Sequence, residues 1–165
     1  MKRTLVIHPF LLVLFFILFS YAQNKEELSL SDIWTSLFVL LGFTLIVLLL
    51  FSLVLRSAAR AGMLVSLLLL LFFSYGFVHR ALWEGRAEVP SSYSQTLLIV
   101  WAVIFVGGSA LLLRIRRGLE EITKILNVMT LVLITFSLVD IALYEFRTRS
   151  ALKDSNSTEV VQLTQ

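Results

Sequence analysis

The chain has 165 residues, of which 58% are hydrophobic and only 15% charged, with a net charge of +3. That balance lacks the polar surface needed to keep a soluble domain of this size dispersed, and connecting segments of about 5–15 residues leave no room for a second folded domain. Cysteine is absent, which excludes disulfides, thiolate zinc sites, iron–sulfur clusters and cysteine nucleophiles.

Five nearly uncharged stretches follow one another, at about 4–24, 33–55, 61–79, 93–113 and 124–145. Each is long enough to cross a hydrocarbon core of about 30 Å as a helix rising 1.5 Å per residue. Their Leu, Val, Ile and Phe run continuously and do not alternate with polar residues, so a membrane β-barrel is excluded. The expected fold is all-α, an integral membrane bundle of five transmembrane helices over 1–149. A flexible polar tail over 150–165 is expected to follow, because Ser, Thr and Asn replace any apolar period there. In that tail Asn156-Ser157-Thr158 matches a glycosylation acceptor, a short pattern of low specificity. The first stretch has a rival reading. Lys2 and Arg3, the apolar run through Phe19 and then Ser20-Tyr21-Ala22 imitate a secretory signal peptide. The apolar run is nevertheless long enough to span, which favours a retained helix.

Basic residues set the orientation. Lys2, Arg3, Arg56, Arg60, Arg114, Arg116, Arg117 and Lys124 fall on one side of the expected bundle, whereas the other short loops hold Lys25, Arg80 and Arg86 among five acids. The positive-inside rule then places the amino terminus in the cytoplasm and the carboxyl terminus outside. Tyr21, Trp34, Trp83, Tyr93 and Tyr144 all lie at expected outer ends, as an interfacial aromatic belt would. The expected partners are the lipid bilayer and other membrane subunits, with no nucleic acid, since the basic residues sit beside spans. Arg114, Arg116 and Arg117, between the fourth and fifth spans, are candidates for contact with lipid phosphate or serve only to fix topology.

Few side chains suggest chemistry. The two histidines, His8 and His79, fall at opposite ends of the bundle, so one metal or haem cannot take both from one protomer. Asp140 follows fifteen uncharged residues. Burial in lipid costs such an acid several kcal/mol unless it faces the bundle, water or a cation. Arg80 and His79 are expected at the same level, making Asp140, Arg80 and His79 the candidate polar site. The alternative is that Asp140 reaches the headgroups and merely marks the end of its span. No clustered metal ligands, activated nucleophile or glycine-rich phosphate loop is evident, so no catalytic residue, metal or cofactor is assigned and the chain is not read as an enzyme. Gly107-Gly108-Ser109-Ala110, and elsewhere Gly42, Gly76 and Ser74, are expected to let another helix approach closely.

Three segments together carry a resemblance: 1–10 (MKRTLVIHPF), 72–76 (FFSYG) and 123–128 (TKILNV). They resemble the amino-terminal membrane region of prokaryotic sulfatase-like proteins of the alkaline-phosphatase superfamily, in the neighbourhood of lipoteichoic acid synthases. The resemblance implies a helical region in the cell membrane anchoring an extracytoplasmic, metal-dependent catalytic domain. Here a polar tail stands where such a domain would open, so no catalytic or metal-binding residue carries over. Two functions follow as expectations. One is a non-catalytic membrane domain that anchors or assembles with a partner protein or an extracytoplasmic domain. The other is a small transporter, channel or lipid-handling protein with a polar site near the outer leaflet. A packed bundle with its polar groups paired favours the first, and a polar cavity reaching the midplane favours the second.

Overall fold

The computed structural model describes the backbone of residues 5–24, 30–83, 91–115 and 118–163. Five helices make up almost all of it: α1 (His8–Gln23), α2 (Leu30–Leu55), α3 (Ala58–Trp83), α4 (Ser91–Arg114) and α5 (Leu119–Leu163). The all-α class expected from the apolar runs is the class observed. In α2 to α5, the stretches Ile33–Leu55, Ala58–Leu82, Ser92–Arg114 and Leu119–Tyr144 are each long and apolar enough to cross a membrane.

Helix α1 differs from its expected span. It has 16 residues, or about 24 Å at 1.5 Å per residue, which falls short of a hydrocarbon core of about 30 Å. Residues 5–7 precede it in non-helical conformation, so the helical part of the first apolar run is shorter than the four candidate spans that follow.

The connections are tight. Arg56 takes a left-handed φ of 51°, and the two residues Arg56-Ser57 are the whole link between α2 and α3. Ser57 opens α3 by accepting the Arg60 and Ala61 backbone N–H groups on its hydroxyl and carbonyl. Gly118, with a φ of 78°, precedes α5 and accepts the Ile122 N–H at 3.0 Å. A non-glycine residue there would be strained. These links let α3 and α5 begin several residues before the apolar runs at 61 and 124.

Helix α3 is the hub, touching α1, α2, α4 and α5. Among the described residues α4 touches α3 alone. The buried core joins Leu12 and Val13 of α1 to Val65 and Leu69 of α3, with Leu37, Leu40, Leu41 and Phe51 of α2 packed round it. Phe16 stacks on Phe73 at 4.2 Å between ring centroids, extending this contact along α1 and α3. Polarity is inverted relative to a water-soluble protein. Thr44, Thr123, Thr130, Ser66 and Ser137 are buried, while Leu53 and Val54 are 75% and 78% exposed and Phe136 is 70% exposed. An apolar surface of that extent requires lipid or another protein against it.

Thr123, Asn127, Thr130, Ile134 and Ser137 form one stripe of α5 at spacings of three and four, and the four other than half-buried Asn127 are fully buried. Thr123 and Thr130 return their hydroxyls to the carbonyls of Leu119 and Leu126, both at 2.8 Å. Small polar residues of this kind satisfy themselves within the helix while letting a neighbour come close. Beyond its apolar part α5 continues as helix to Leu163, through the segment where the composition suggests a flexible tail.

Candidate functional site

Two polar clusters interrupt the apolar bundle, one at each end. The first is built on the start of α1. Its N-cap residue, Ile7, provides no side-chain cap, yet the donors from His8 to Leu11 are accounted for. The His8 N–H donates to Asn127 Oδ1 at 2.9 Å, Pro9 has no N–H, and the Phe10 and Leu11 N–H groups reach the Ile7 carbonyl at 3.0 and 3.1 Å. Asn127 Nδ2 then donates to the Leu5 carbonyl at 2.9 Å. The carboxamide of α5 therefore bonds two backbone groups of the chain entering α1, as a neighbouring peptide unit would.

Backbone partners also fix the orientation of that carboxamide. An N–H can only donate and a carbonyl can only accept, so Oδ1 must face His8 and Nδ2 must face Leu5. His8 Nδ1 lies 3.1 Å from the same Oδ1, which places a hydrogen on Nδ1. Nε2 is buried and has no hydrogen-bond partner among the described residues. The imidazole lies against α3 at Gly62, where an added Cβ would sit 3.2 and 3.3 Å from His8 Cε1 and Nε2 and overlap Val6 Cγ1. Glycine is required there by the close approach of α1. Ser66, one turn further along α3, is also buried, and its hydroxyl has no partner among the described residues.

The second cluster lies at the other end of α1 and α3. Arg80, in the last turn of α3, is exposed and borders a cavity of about 250 Å³ with Ser20, Gln23, Asn24, Phe73, Gly76 and Phe77. Asn24 closes α1 here, its backbone N–H donating to the Ser20 and Tyr21 carbonyls at 3.1 Å and its Nδ2 to Ser20 at 2.8 Å. Phe73 and Gly76 also border an apolar groove of about 690 Å³ between α3 and α4, lined further by Leu68, Leu98, Trp101 and Phe105. The Trp101 indole donates to the Leu71 carbonyl at 2.8 Å and approaches Ser74 Oγ at 3.3 Å, clamping α4 to α3.

The expected site residues take part in different contacts. His79 stacks on Tyr75 with ring centroids 5.9 Å apart, and Tyr75 stands edge-on to Trp101, so this group belongs to the α3–α4 contact. Arg80 turns to the cavity beside α1. Asp140 is exposed on α5, and among the described residues no hydrogen bond or ion pair joins it to Arg80 or His79. His8 and His79 stand at opposite ends of the molecule, since Gly62, which holds the His8 ring, is about 26 Å from residue 79 along α3. Arg114 is exposed at the end of α4, whereas Arg116 and Arg117 lie outside the described residues. The helix-approach expectation holds at Gly108, whose added Cβ would meet Leu67 of α3 at 2.9 Å. At Gly107, Gly42 and Gly76 nothing lies within 4 Å of an added Cβ. Among the described residues no three His, Asp or Glu side chains are grouped to hold a metal ion.

Asn127 was not singled out by its own chemistry in the sequence, although Thr123, Thr130 and Ser137 recur at sevens with Asn127 and Ile134 between them. That stripe is the signal that marks the buried face of α5. No family model, curated protein or solved structure matches this chain. The long apolar helices and outward-facing apolar surface define a multi-pass helical membrane protein.

Proposed function

We propose that the chain is a non-catalytic membrane domain that anchors or assembles with a partner protein or an extracytoplasmic domain. The observation that carries this reading is the use made of the buried polar groups at the start of α1. Asn127 and His8 are spent on holding the entering chain against α3 and α5, which is structural work, and the core beside them is packed with Leu12, Val13, Val65 and Leu69. The basic excess around the His8 end supports a cytoplasmic amino terminus in a cell membrane. The resemblance of 1–10, 72–76 and 123–128 to sulfatase-like membrane regions supports the anchoring role. The first and third of these segments meet in the His8–Asn127 contact, and the second borders the α3–α4 groove.

A reporter phosphatase that is active only outside the cytoplasm, fused after Gln165, tests the reading. The expected result is an active reporter that stays in the membrane fraction through an alkaline wash. An inactive reporter alongside a fluorescent cytoplasmic-type fusion at the same position, or release of the fusion by the wash, overturns it.

A further inference from the structure

The polar cavity at Arg80 and the apolar groove between α3 and α4 share a border. Phe73 and Gly76 line both, and Gly76 has no side chain and open space within 4 Å of an added Cβ, so the surface is continuous over it. Together the two hollows change character along α3. Arg80, Gln23 and Ser20 offer a cation and hydrogen-bond donors at one end, and the other end, down to Leu68 and Phe105, is apolar. The backbone amide and Nδ2 of Asn24 already take the last carbonyls of α1, and among the described residues that line the cavity Arg80 carries the charge.

The dimensions match one leaflet. Twelve residues separate Leu68 from Arg80, about 18 Å along a helix, against about 15 Å for half of a hydrocarbon core. Tyr21 and Tyr93 stand at the same end of the bundle as Arg80, the level that interfacial aromatics occupy.

We propose that this continuous surface binds one phospholipid. The Arg80 guanidinium holds its phosphate, and one acyl chain crosses Gly76 into the groove beside Trp101. Arginine suits a phosphate because its planar fork offers paired donors and keeps its charge. A bare apolar partner helix would leave that charge unused. The inference goes beyond anchoring and does not depend on which face is cytoplasmic.

Native mass spectrometry of the full, delipidated chain tests it, with phosphatidylglycerol and a diacylglycerol of the same acyl chains as probes. The wild type should bind the first phosphatidylglycerol at least about tenfold more tightly than the diacylglycerol, as one charged hydrogen-bonded contact warrants. Arg80→Gln should abolish that preference and Arg80→Lys should keep part of it. Gly76→Leu should weaken both probes by about tenfold, and open space at that position lets the fold accept the side chain. Lys124→Gln, exposed at the opposite end of the bundle, removes an equal charge and should change nothing. A wild type without preference, a preference that survives Arg80→Gln, or Gly76→Leu binding both probes as the wild type does, overturns the proposal.

Discussion

Replacing Asn127 with alanine should cost the bundle about 1–3 kcal/mol, the range expected when a buried group loses its hydrogen-bond partner. The His8 N–H and Nδ1 would lose their acceptor, and the exposed Leu5 carbonyl would lose its tie to α5. Asn127→Asp should not rescue, because the carboxylate keeps an acceptor for His8 but presents a second acceptor to the Leu5 carbonyl. The backbone character of the contact can be isolated by repeating Asn127→Ala in a His8→Phe background. Since two of the three bonds do not involve the imidazole, more than half of the cost should persist there. Thermal unfolding of the four proteins in one detergent measures this. If the loss disappears once His8 is gone, Asn127 serves only the histidine ring, and its role as a surrogate peptide unit is wrong.

Gly62→Ala should be the second large effect, with a sign opposite to the usual one. Alanine in a helix interior ordinarily gains about 0.5–1 kcal/mol over glycine. At Gly62 the new methyl would overlap Val6 and press on the His8 ring, and overpacking of a fitted contact costs about 1–3 kcal/mol. Valine is branched at Cβ and has little freedom to move aside, so the net change should be destabilising. Gly42→Ala is the internal comparison, since nothing lies within 4 Å of its added Cβ. It should be neutral or slightly stabilising. Equal melting temperatures for Gly62→Ala and Gly42→Ala would mean that α1 does not sit tightly on α3.

The helices were legible because lipid imposes a simple rule: a spanning backbone must bond to itself, so every span is a continuous apolar run. Where the chain departs from that rule, the sequence is less informative. Residues 5–7 belong to the first apolar run, yet they are not helical: Pro9, in the first turn of α1, has no N–H with which to continue the helix toward Leu5. Asn127, more than a hundred residues away, bonds the Leu5 carbonyl, and no local pattern records that pairing. The early starts of α3 and α5 depend on Arg56 and Gly118 accepting positive φ, which hydropathy does not register.

Small polar residues mark the packed face of α5. Asp140 stands out in the sequence as the one acid of its span and lies exposed on α5, and Arg80 lines the cavity beside α1. Thr123, Thr130 and Ser137, unremarked singly, mark by their spacing the face on which α5 meets its neighbours. Within a membrane the apolar residues face outward and carry little information about packing, so the inward stripe of small polar residues is the better signal.

The orientation of the bundle, on which the anchoring role rests, can be measured directly. The chain has no cysteine, so a single introduced thiol is unique. Ala58, the first residue of α3, and Ser92, near the start of α4, are both exposed and lie at opposite ends of the bundle. With a membrane-impermeant maleimide on intact cells, Ser92→Cys should label, and Ala58→Cys should label only after permeabilisation. Equal labelling of the two on intact cells, or labelling of Ala58→Cys alone, would contradict the account.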